Sequence, residues 1–217
     1  MRASLNWKFA CIIFVLFSLS CALDVNIDKE FFTNGFTDVD FVNWNIYGAS
    51  VPSIYKFTTC AGTRLFGGDI KHNLGYTVLS GDSANPNGIV RTWSNLISHY
   101  SVRIQATVYK IDSWTNSTFF AMVDGTSAVL YTWNSSNGGT TDICGNPTPY
   151  FDATNTNYNE LITNINVTVP HSSSSLTINF TSNLPNNLGF WGIRNISITL
   201  QACDFSCNTC TDGRTIS

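Results

Sequence analysis

The stretch Tyr100-Ser-Val-Arg-Ile-Gln-Ala-Thr-Val108 decides the fold class. Tyr100, Val102, Ile104, Ala106 and Val108 fall on one face, and Ser101, Arg103, Gln105 and Thr107 on the other. A period of two with one apolar face describes a strand that packs one side on a core and turns the other to water. The pattern recurs with Ile165, Val167 and Val169 inward and Asn166 and Thr168 outward. It recurs again with Leu176, Ile178 and Phe180 inward, Thr177 and Asn179 outward, and with Ile196, Ile198 and Leu200 inward, Ser197 and Thr199 outward.

Shorter β-branched and aromatic runs at 53–60, 76–79, 119–123 and 129–133 read as further strands. The last two form a hairpin about Asp124-Gly125. Ser172–Ser175 reads as a turn. Almost nothing has a helical period. So many short strands predict an all-β, two-sheet antiparallel β-sandwich with jelly-roll topology. One detail breaks the regularity: Trp191 and Ile193 have the opposite parity to Ile196, Ile198 and Leu200. A regular strand cannot bury both sets on one face, so a bulge is expected near Arg194-Asn195.

Composition bounds the function. The chain has 217 residues, with 11 Lys and Arg against 14 Asp and Glu, a formal charge of −3. Only 12% is charged while 43% is hydrophobic, which excludes a disordered tail. So few basic residues argue against binding nucleic acid through its phosphates.

The N-terminus suggests an address. Arg2 and Lys8 precede an apolar run from Phe9 to Leu19, and Ser20-Cys21-Ala22 offers small residues for cleavage. This is the form of a signal peptide over 1–22; the run is shorter than the roughly 20 residues that span a bilayer. The expected organisation is a leader at 1–22, a sandwich at 23–202 and the start of a cysteine-rich segment at 203–217. No second long apolar segment follows, so no membrane span is expected in the mature chain, which would be secreted or held at the cell surface. Asn116, Asn134, Asn166, Asn179 and Asn195 each open an Asn-x-Ser/Thr sequon, consistent with a glycoprotein.

Five cysteines follow the leader: Cys60, Cys144, Cys203, Cys207 and Cys210. In an oxidising compartment the first two, lying in the sandwich, read as a disulfide. The tight spacing of the last three has the form of a cysteine-rich repeat, and residues 203–217 are too few to complete one.

Catalytic signals are thin. Glu30 and Glu160 are the only glutamates, no spacing selects a carboxylate pair, and no nucleophile elbow or phosphate loop occurs. The chain therefore reads as a non-enzyme. His72, His99 and His171 match no zinc motif; His99 and His171 each flank an alternating strand and could meet at one end of the sandwich, against the commoner role of satisfied edge or turn groups. Asp112, at a strand end, and Asp124, in a turn, are the candidate calcium ligands; each is also an ordinary turn former. Trp44, Trp93, Trp114, Trp133 and Trp191 supply large aromatics. Trp114 and Trp133 are the candidates for stacking on a sugar ring, against the commoner role of core packing.

Several short motifs occur in a characteristic order: Gly67-Gly68 after Cys60, Ser98-His99-Tyr100, Tyr109-Lys-Ile-Asp112-Ser-Trp114, Val123-Asp124-Gly125, Cys144-Gly145, His171, and Trp191-Gly-Ile-Arg-Asn195. In this the chain resembles the N-terminal β-sandwich module of large extracellular proteins abundant in ciliates, which carry growth-factor-receptor-type, furin-like cysteine-rich repeats. The resemblance spans 31–210 and implies no enzymatic activity. Thr115 and Arg194 stand where related modules often carry carboxylates. The expected function is a secreted or cell-surface glycoprotein module with a structural or interaction role. Its partner would be an extracellular protein or glycan. The alternative is a lectin-like carbohydrate-binding module, with calcium as a possible cofactor.

Overall fold

The computed structural model describes residues 22–30, 42–47, 57–60, 62–67, 88–112, 114, 116–134, 136–137, 160–184 and 189–203. Every regular element among them is a strand: β1 Ala22–Glu30, β2 Asn45–Tyr47, β3 Phe57–Cys60, β4 Thr63–Gly67, β5 Gly88–Trp93 and β6 Ser101–Asp112. There follow β7 Ser117–Val123, β8 Thr126–Trp133, β9 Leu161–Pro170, β10 Leu176–Ser182 and β11 Gly189–Cys203. One sheet orders β3-β4-β11-β6-β9 with β1 also on β11; the other orders β2-β5-β10-β7-β8, and all pairings are antiparallel.

Apart from the hairpins β3–β4 and β7–β8, sequence neighbours alternate between the sheets. β1, β11, β6 and β9 form one four-strand layer and β5, β10, β7 and β8 face them, which is the jelly-roll arrangement of two Greek keys. The four strongly alternating stretches became β6, β10 and β11, each paired on both sides, and the edge strand β9. Asp124 and Gly125 take φ of 47° and 81° in the two-residue turn between β7 and β8, the left-handed pair that such a hairpin requires.

The parity break in β11 is resolved by a bulge. The pairing with β6 shifts between Arg194 and Ser197, and Asn195 takes φ of 53°. Trp191, Ile193, Ile196, Ile198 and Leu200 are all buried in one cluster as a result. The same point divides the far edge of β11, where β4 pairs with Gly192 and Ile193, and β1 with Ile196 onward.

Trp114 and Trp133 lie in the core, 0% and 5% exposed, their rings in edge contact at 4.9 Å. The Trp114 indole donates to the Phe190 carbonyl at 3.0 Å. This corrects the expectation of a sugar platform: the jelly-roll core is deep enough to take both rings, so neither face can meet a ligand. Cys60 is disulfide-bonded and buried against Leu65, Tyr109, Ile111 and Phe190. Cys144, its expected partner, lies outside the described residues, as do the run at 76–79 and residues 204–217. No helix of the described residues is long and apolar enough to cross a membrane.

Candidate functional site

The outer face of the β1-β11-β6-β9 layer carries a groove of about 550 Å³. Alternation builds it: where Val102, Ile104, Ala106 and Val108 point inward, Arg103, Gln105 and Thr107 point out. Asn164 and Asn166 join them from β9, Ser197 and Thr199 from β11, and Asn26 and Lys29 from β1. The β11 bulge adds Asn195 to the same wall. A second bulge, at Asn26–Asp28 on β1, is held by the Asp28 amide donating to Asn26 Oδ1 at 3.1 Å. It leaves Asn26 facing the groove and turns Asp28 inward.

The groove is polar and partly wired. Asn26 Nδ2 donates to Ser197 Oγ at 3.0 Å, and Thr107 Oγ1 to Asn164 Oδ1 at 3.0 Å. Arg103 reaches Asp24 at 2.8 Å. Gln105 and Asn166 stand directly opposite each other across β6 and β9. Neither side-chain amide makes a hydrogen bond among the described residues, so two donor–acceptor groups face the same space. Among the described residues no aromatic ring and no carboxylate lines the groove.

Two further clusters lie elsewhere. On the sheet interior, Arg91 of β5 reaches Asp28 at 2.7 Å and Glu30 at 3.3 Å, while the Trp44 indole donates to Asp28 Oδ2 at 3.0 Å. Sequence reasoning missed this group. Its signal was Leu23, Val25 and Ile27 alternating into an acidic residue, obscured by the apolar leader beside it. Burial pushes the Asp28 carboxyl up to about 6; Arg91 opposes that rise and Glu30 adds to it.

The third cluster joins His99 and His171. Ser101 pairs with Pro170, so the residues flanking those strand ends are brought together by register. His99 Nε2 lies 2.7 Å from His171 Nδ1, and His171 Nε2 lies 2.9 Å from Asp124 Oδ2. His99 Nδ1 lies 2.7 Å from the Ile97 carbonyl. The ring planes differ by 14° with centroids 5.0 Å apart. A nitrogen contact of 2.7 Å plus the two ring radii accounts for that separation, so the rings meet end-on rather than face to face.

Asp124 is thereby removed from the expected calcium site. Its Oδ1 accepts from the Thr177 amide at 2.7 Å and its Oδ2 faces His171. Asp112 ends β6 at the far end from Ser101, and it is the Ser101 end that lies beside the His99–His171 contact. The two aspartates do not converge, because β6 and β7 run in opposite directions. Among the described residues no group of three His, Cys, Asp or Glu is arranged to hold a metal ion.

The five sequons fall in different settings. Asn116 and Asn166 are exposed. Asn134 folds its Oδ1 onto Ser136 and Asn137, Asn179 Oδ1 accepts from Tyr47 at 3.0 Å, and Asn195 Oδ1 accepts from Arg194 at 3.3 Å.

No family model matches the chain, and no curated protein does. The chain is similar to several solved structures. The CBM36-1 domain of a multidomain xylanase from the hindgut metagenome of Trinervitermes trinervoides is 14% identical, covering 72% of this chain and 96% of that one, with a TM-score of 0.32. A family 35 carbohydrate-binding module from an environmental isolate is 13% identical over 73% and 98%, TM-score 0.31. The K2 cleaved adhesin domain of Lys-gingipain is 13% identical over 82% and 98%, TM-score 0.41. At these TM-scores the likeness carries neither a residue nor a role of these proteins onto this chain.

Proposed function

We propose that this chain is a non-catalytic binding module of the secretory route or cell surface, and that its polar groove takes a carbohydrate. The observation that carries the reading is the pair Gln105 and Asn166, opposed on neighbouring strands with unused amides in a groove of ligand size. Each amide offers donors and an acceptor, which suits the dense hydroxyls of a saccharide. An apolar ligand would gain little from these walls, and burying their amides unpaired would cost about 1–3 kcal/mol each. Among the described residues the lining of the groove is amides, hydroxyls, Arg103 and Lys29, groups suited to binding hydroxyls.

Asn166 is also a sequon, and a glycan attached there would sit on the groove. The reading is therefore tested on protein made both with and without N-glycans, screened against an array of neutral and acidic oligosaccharides. Saturable binding by the unglycosylated protein, weakened by Gln105→Ala, supports the reading. Silence from the unglycosylated, folded protein on every glycan overturns it in favour of a structural or protein-binding role.

A further inference from the structure

The chain Ile97 carbonyl, His99, His171, Asp124 begins and ends on an acceptor. Three hydrogen bonds connect its members, at 2.7, 2.7 and 2.9 Å. Each bond needs one proton, and two neutral imidazoles carry only two. With the carbonyl taking the Nδ1 proton of His99, its Nε2 can only accept from His171 Nδ1. A neutral His171 would then present a bare Nε2 to the Asp124 carboxylate. The geometry is satisfied when the two rings hold a third proton between them, balanced by the charge on Asp124.

A fourth proton is equally unwelcome. Two imidazoliums would set an N–H against an N–H at the 2.7 Å contact. The arrangement thus fits one proton count, bounded on both the acid and the alkaline side. We propose that His99, His171 and Asp124 form a proton-counting clamp across this end of the sandwich, closed while the two imidazoles hold three protons.

What the clamp closes is defined by its three attachments. His99 belongs to the segment before β6, His171 to the crossover between β9 and β10, and Asp124 to the β7–β8 turn. Asp124 also accepts from Thr177 of β10 and donates its own amide to the Thr177 carbonyl at 2.9 Å. The clamp therefore ties a loop on one sheet to a hairpin tip on the other. Among the described residues Asp124 is the one charged group bonded to either ring. The charges that β1 and β6 bring to this end, Asp24 and Arg103, pair with each other. The crossover residues Ser172–Ser175 and the Ile97 carbonyl are neutral. All four ring nitrogens are engaged, so in this state neither histidine has a nitrogen left for a substrate or a metal.

The test is long-range proton–nitrogen NMR of the imidazoles on the whole protein across about pH 4–9, the span in which histidines ordinarily titrate. Amide exchange at Thr177, corrected for the intrinsic pH effect, is followed alongside. The clamp requires Thr177 protection to peak at intermediate pH and to fall about tenfold on each side, the loss of roughly one hydrogen bond. The decisive variant is Asp124→Asn. Its amide can donate to a neutral His171, completing the chain with two ring protons. Asparagine also tolerates the positive φ at this turn, so the fold is kept. The expected result is protection that persists on the alkaline side in this variant alone. Two neutral rings at the pH of maximal protection in the wild type, or an alkaline loss in Asp124→Asn equal to that of the wild type, would overturn the proposal.

Discussion

Arg91, on one sheet, meets Asp28, on the other, with Nη1 and Oδ1 2.7 Å apart. The contact spans the sandwich at the edge where β1 and β5 face each other, and Trp44 closes over it with a hydrogen bond to the second carboxylate oxygen. Burial nevertheless outweighs these partners, raising Asp28 from its ordinary 3.8 to about 6.

The sign of the pH effect follows. A carboxyl whose folded value lies above its unfolded one binds the proton better when native. Its contribution is fully present below about pH 4 and is lost as pH rises toward 6. The slope reaches at most about 1.4 kcal/mol per pH unit. Asp28→Asn should flatten this part of the stability curve. Urea titrations of both proteins between pH 4 and 7 check it, and unchanged slopes would locate the effect elsewhere.

Gly88 leaves no room for a side chain. A Cβ there would collide with the Phe180 carbonyl and lie 2.7 Å from the Tyr47 hydroxyl. Gly88→Ala should cost about 1–3 kcal/mol through overpacking in β5. A denaturation midpoint equal to the wild type would contradict that tight approach.

At the β11 bulge, Asn195 holds φ of 53°, which a β-branched residue adopts only under strain. Asn195→Gly should be tolerated, whereas Asn195→Val should lose roughly 1–3 kcal/mol. Thermal melts of unglycosylated protein make the comparison without the sequon's influence.

This bulge shows how far sequence reaches. The parity of Trp191 and Ile193 against Ile196 exposed it, because period two leaves no other way to bury both sets. The meeting of His99 and His171 was legible only as one option beside an ordinary edge or turn role: both flank alternating strands, and the antiparallel register of β6 and β9 decides between the two. Strand direction was not legible. Asp112 and Asp124 both read as strand-end oxygens, and only the opposite running of β6 and β7 separates them. Nor did type alone say that Trp114 and Trp133 would be enclosed, since a ring that packs a core and one that stacks on a sugar carry the same sequence signal. The groove was hidden in the polar halves of the alternating strands, where Gln105 and Asn166 read simply as solvent-facing residues.

Core enclosure of the tryptophans has its own consequence. Trp114→Ala should destabilise by about 3–5 kcal/mol, as expected for emptying a buried indole site. Any protein that remains folded should bind a saccharide as the wild type does. A variant of full stability with lost binding would return Trp114 to the ligand site.

The central claim concerns where a saccharide lands, and backbone amide NMR during titration with an oligosaccharide from the array measures that directly. The account predicts perturbations concentrated at Arg103, Gln105, Thr107, Asn164 and Asn166, with the Asp28 cluster and the His99–His171 end unmoved. Saturable binding that shifts amides at either of those places while leaving Gln105 and Asn166 unchanged would contradict it.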